Sequence, residues 1–168
     1  MAAQSMSALI TRLSSTLRSL ALVALALVLS FGLTACSGGK AKAPTLSAED
    51  IAVIERQAEG FLSARNRLPE LATLVNERDW TFTRNLIHGP MQEVGREMLY
   101  INQRLLPAER PEATKRADAL KDALAELDEA ARLQDATNLS KAYIKVASGF
   151  GLYAQVLPAQ VQEDLKQV

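Results

Sequence analysis

The chain has 168 residues, of which one is cysteine, one histidine and one tryptophan. These scarcities exclude a good deal of chemistry. A single histidine cannot build a His-based metal site, and the Glu-x-x-His pairs of di-iron bundles are absent. One cysteine permits neither an internal disulfide nor a cysteine-based zinc site, and there is no Cys-x-x-Cys-His for covalent haem. Neither a nucleophile elbow nor a phosphate-cradling glycine loop occurs. Charge of one sign is not in excess either: 19 Lys and Arg balance 19 Asp and Glu. That excludes the basic excess or stripe expected of a nucleic-acid binder. No stretch of any length reads as a strand.

What is present begins with an export signal. Residues 1–35 contain no acid and two arginines, Arg12 and Arg18, and the run from Leu20 to Leu33 is almost wholly apolar. Basic, apolar and small-residue regions in that order read as a secretory signal peptide. The apolar run is short for a permanent span, which takes roughly 20 residues. Its end, Leu33-Thr34-Ala35-Cys36, resembles a bacterial lipobox, whose cysteine is acylated and becomes the new N-terminus. The plainer alternative is an uncleaved anchor with an incidental cysteine. Against it, a cleavage site is the simplest reason for the chain's lone thiol. Cys36 is therefore the expected lipidation site, and two acyl chains anchor stably where one binds marginally. Cleavage there takes 35 from 168 residues and leaves 133, enough for one domain with a single core. Loss of Arg12 and Arg18 leaves 17 basic against 19 acidic residues, a charge of about −2. Residues 36–46 are small, polar and contain Pro44, which predicts a flexible tether before a folded part at 47–168.

The folded part predicts four helical segments. Ser47 is a cap candidate for the first, with Glu49 and Asp50 favouring its positive end. Ile51, Ile54, Ala58, Phe61, Leu68, Ala72 and Val75 mark its apolar face, interrupted by Arg65. Pro69 is expected to kink or split it near Asn66 to Leu68. The second segment runs from Asp79, a cap candidate, to Pro107. Its stripe of Trp80, Arg84, Ile87, Met91, Val94, Met98, Ile101 and Leu105 alternates steps of four and three. Pro90 deprives the carbonyl of Leu86 of a partner, so a bend is expected at His88-Gly89-Pro90 rather than a stop, because the stripe continues in phase. The third, from near Pro111, buries Ala113, Ala117, Leu120, Leu124, Leu127 and Ala131. The fourth is capped within Asp135 to Asn138, buries Leu139, Ala142, Val146, Phe150, Tyr153 and Leu157, and stops at Pro158. Gly149 and Gly151 each cost it about 1 kcal/mol relative to alanine, tolerable where another backbone approaches closely. Short loops between long helices make sequential helices antiparallel neighbours. The expected fold is all-α, an up-down-up-down four-helix bundle.

Few residues then remain as functional candidates. His88 is open to reading as a surface metal ligand or a pH-sensitive contact, and beside a bend more simply as a local hydrogen-bonding residue. Trp80 reads either as a docking residue or as the staple of the second helix to the core. The cations Arg84, Arg96, Arg104, Lys115, Arg116 and Lys121 are candidates for acidic partners. From residues alone the chain is a membrane-tethered helical bundle acting through interactions.

Asp79-Trp80, Ile87-His88-Gly89-Pro90, Arg96-Glu97-Met98 and Leu105-Leu106-Pro107 carry a resemblance to the cyanobacterial PsbQ (CyanoQ) family, extrinsic lipoproteins of photosystem II in the thylakoid lumen. The resemblance covers the lipobox, the tether and all four helices. Where the family often has two basic residues before the acid and methionine, this chain has Gly95-Arg96, so only Arg96 carries over. The resemblance implies a four-helix bundle, no catalytic activity and no cofactor of its own. It implies a lipid-anchored place on the lumenal side of the thylakoid membrane, against the core antenna and the manganese-stabilising subunit. There the family stabilises the oxygen-evolving complex and helps hold its calcium and chloride. Two rival expectations stand beside it: a periplasmic lipoprotein bundle that binds a small ligand or metal, and an envelope chaperone or adaptor.

Overall fold

Helices start where short polar side chains can take the free N–H groups of a first turn. The hydroxyl of Ser47 accepts from the Asp50 N–H at 3.0 Å, and the carboxylate of Asp79 accepts from the Phe82 N–H at 3.0 Å. Asp135 accepts from the N–H groups of Thr137 and Asn138, each at 3.0 Å. A computed structural model describes residues 44–164. Among them are seven helices and no strand: α1 (Ala48–Arg65), α2 (Leu68–Glu77), α3 (Trp80–His88), α4 (Val94–Arg104), α5 (Arg110–Arg132), α6 (Ala136–Ala154) and α7 (Ala159–Asp164).

One of the expected boundaries stands and two need adjustment. The first rod splits at Asn66 and Arg67, with Pro69 in the first turn of α2, where its missing N–H costs nothing. In the second rod the expected bend is a break: α3 ends at His88 and α4 begins at Val94. Without an N–H at Pro90, the next donor, Met91, reaches five residues back to the Leu86 carbonyl at 3.2 Å. Gly89 adopts φ −107° and ψ −100°, and a Cβ there would lie 2.8 Å from the Asn85 carbonyl oxygen. The stripe nevertheless stays in phase, because Ile87, Met91, Val94, Met98, Ile101 and Leu105 are all buried. The fourth segment does not stop for good at Pro158. Its chain resumes as α7, whose Val161 is buried and which packs against α1.

The rods α1–α2 and α3–α4, with α5 and α6, form the four-helix bundle. α1 lies against α4, α2 against α3 and α6, α5 against both α3 and α4, and the α5–α6 pair makes the largest interface. All six apolar positions expected on the third helix and all six on the fourth are buried. Phe61 packs on Phe150 and Tyr153 with ring centroids 5.4 Å and 5.0 Å apart, in the tilted arrangements aromatic quadrupoles favour. Gly149 faces α5 so closely that a Cβ would meet Leu120 at 3.0 Å from Cδ1 and 3.4 Å from Cα. Leu46, expected in the tether, is half-buried against the core. Among the described residues no helix is long and apolar enough to cross a membrane.

Candidate functional site

Trp80, Arg84 and His88 recur every four residues on α3, so they share one face of it. That face meets α5. Trp80 is half-buried and packs on the edge of the core, which gives the stapling role. Arg84 does not enter the core as its place in the stripe implied. Its guanidinium reaches across to α5, where Nε donates to Oδ1 of Asp128 at 2.9 Å. His88 Nε2 lies 2.8 Å from the same oxygen. An ionised carboxylate can only accept, so Nε2 carries the proton. The hydrogen bond of His88 is thus not local but spans 40 residues.

Burial alone would raise the pKa of Asp128. The hydrogen bonds and positive charge of Arg84 and His88 outweigh it and hold the carboxyl below its ordinary value. One carboxylate therefore ties the last two turns of α3 to α5, immediately before the break. Sequence reading missed Asp128, although a signal was there. It continues the row of Leu120 and Leu124 at steps of four, a charge at the edge of an apolar stripe, as Arg84 is on the facing helix.

The remaining motif residues are not gathered into this cluster. Asp79 caps α3. Gly89 and Pro90 form the exposed turn after it. Arg96 is exposed on α4 and pairs with Glu93 at 2.6 Å and more distantly with Glu97 at 4.0 Å. Cys36, the expected lipidation site, lies outside the described residues.

Five of the six candidate cations have intramolecular carboxylates: besides Arg84 and Arg96, Arg104 pairs with Asp50, Arg116 with Glu112 and Lys121 with Asp118. Lys115 has no such pair among the described residues. Charges already neutralised at an exposed surface attract a partner weakly. Among the described residues no three or more His, Cys, Asp or Glu converge as a metal site would require. The arrangement of α3 against α5 thus does structural work: it caps, staples and ties.

Comparison with known proteins gives two findings. Residues 1–158 match the model of the PsbQ family, described as oxygen evolving enhancer protein 3. The chain is also similar to CyanoQ of Synechocystis sp., 34% identical over 101 residues that span 59% of this chain and 67% of that protein.

Proposed function

This chain belongs to the PsbQ family, and from that membership we propose that it is a non-catalytic extrinsic subunit of photosystem II on the lumenal side of the thylakoid membrane. It is held there by acylated Cys36 and docks near the core antenna and the manganese-stabilising subunit. Its role is to stabilise the oxygen-evolving complex and to help retain calcium and chloride, with no cofactor of its own. The observation that carries this reading is the family match, which runs from residue 1 through the whole of α6 to residue 158.

Physical chemistry makes the role coherent. A protein without reactive groups protects another complex's site by covering it, which slows the exchange of ions and the entry of reductants. Covering needs a rigid body, and a core that joins all four rods of the bundle supplies one. It also needs a fixed location, and a lipid anchor raises the effective concentration at the membrane so that modest contacts suffice.

The test is oxygen evolution by membranes with and without the protein, across a calcium and chloride titration. Deletion is expected to leave activity intact when both ions are replete and to lower it most when they are scarce. Identical curves, with the protein shown to be on the wild-type photosystem, overturn the retention role.

A further inference from the structure

Two residues sit awkwardly in the sequence, and the fold brings them to the same place. Arg65 breaks the apolar stripe of the first helix, and Gly151 weakens the fourth. Both line a shallow hollow between the corner joining α1 to α2 and the flank of α6, together with Asn66, Leu68, Pro69, Ala147 and Phe150. The hollow has a volume of about 460 Å³, and no acidic side chain lines it.

Arg65 is half-buried. The other half-buried cations of the described residues, Arg84 and Arg116, each hold a carboxylate, at 2.9 Å and 2.8 Å. Arg65 pairs with none among the described residues. A guanidinium on a side chain whose stem lies against apolar surface is a ready partner for a carboxylate, because its planar fork matches both oxygens. Its place in the last turn of α1 suits the helix dipole, but an exposed arginine would serve the dipole equally.

Gly151 is the second anomaly. Unlike Gly149, it meets nothing: a Cβ there would find no atom within 4 Å. Packing does not require glycine, and helix propensity argues against it. What the missing side chain does is keep the floor of the hollow open. One turn and two turns earlier on the same face stand Ala147 and Ile144, and the latter is 66% exposed. The floor is therefore apolar and continues outward along α6.

We infer that this hollow is a docking surface for an acidic segment of a partner protein, with a carboxylate on Arg65 and an adjacent apolar side chain over Gly151 and Ala147. The inference rests on the reading that the protein docks on photosystem II, and it names the face that docks. The choice of a protein segment follows from charge complementarity at one cation over an apolar floor. A membrane surface would call for several cations together.

The test uses the full lipidated chain, added to photosystem II membranes from a strain lacking it, with the retained amount measured by titration. Arg65→Glu and Gly151→Leu are each expected to weaken retention about tenfold or more. Gly151→Leu fills the hollow yet is a better helix former, so its melting temperature should equal or exceed that of wild type, which separates lost docking from lost folding. Lys121→Glu makes the same charge change on α5 and should be retained as wild type. If wild type is retained and both hollow variants match it, the docking face lies elsewhere and only this inference falls. If wild type itself is not retained, the photosystem reading falls and this inference with it. If Arg65→Glu loses the same binding to vesicles of thylakoid lipid alone, the occupant is lipid and the protein-segment assignment is wrong.

Discussion

The hydroxyl of Tyr153 on α6 lies 2.8 Å from Oδ1 of Asn102 on α4, inside the core and across 51 residues of sequence. The same hydroxyl is 3.1 Å from the Met98 carbonyl oxygen, so its single proton is shared between two acceptors. Burial raises the pKa of Tyr153 above its ordinary range, so the group stays protonated and donating. Both residues are buried, and the bond joins the second rod to the fourth helix. Tyr153→Phe removes the donor and strands the Asn102 carbonyl, at an expected cost of about 1–2 kcal/mol. In thermal melts that is a fall of roughly 3–6 °C for a domain of this size. The double variant Tyr153→Phe, Asn102→Leu should recover part of the loss, because neither partner is then left unsatisfied. Additive losses in the double variant would refute the bond as the cause.

Asp128 contributes to the acid limb of stability. Its folded pKa is depressed, so the stability it lends is fully present above the unfolded aspartate value of about 3.9 and is lost as pH falls through the lower folded value. Asp128→Asn should cost about 1 kcal/mol near neutral pH, a modest figure because Arg84 and His88 are exposed enough for water to screen them. The gap between wild type and variant in urea melts should close as pH falls through the lowered folded value. A gap that persisted unchanged there would show that packing, not charge, is what the substitution removes.

The two glycines of α6 should respond with opposite signs. Gly149→Leu must displace Leu120 and force α5 and α6 apart, an overpacking expected to cost about 1–3 kcal/mol. Gly151→Ala meets open space and should stabilise by up to about 1 kcal/mol through helix propensity. Equal melting shifts for the two would contradict the close approach at Gly149.

The proposed lipid anchor is Cys36, which lies outside the described residues. Cys36→Ser should abolish acylation and move the protein from the membrane fraction to the soluble one. Processing at the same bond together with continued membrane fractionation would rule out the lipobox.

The sequence by itself determined the helices and most of the core. Steps of three and four are a local property, set by 3.6 residues per turn, so most buried positions could be read without knowing their partner. On the first rod Ile51, Leu68 and Ala72 are only half-buried, and Ala64 and Leu71 enter the core instead. Caps were readable for the same reason, since Ser47, Asp79 and Asp135 bond to N–H groups two or three residues away. A disturbance at Pro90 was foreseeable from covalent geometry, but it was expected as a bend, and the full break depends on how far Met91 must reach for an acceptor. The tertiary structure decided everything that joins distant residues. Arg84 stood as a lone charge in an apolar stripe, and Asp128 drew no notice, until their helices met at 2.9 Å. Asn102 found Tyr153, Gly149 took the place a side chain of α6 would need beside Leu120, and Arg65 came to line one hollow with Gly151. Periodicity fixes which face of a helix is buried, whereas the partner across that face depends on the rotation and height at which two helices pack, and no local pattern encodes those.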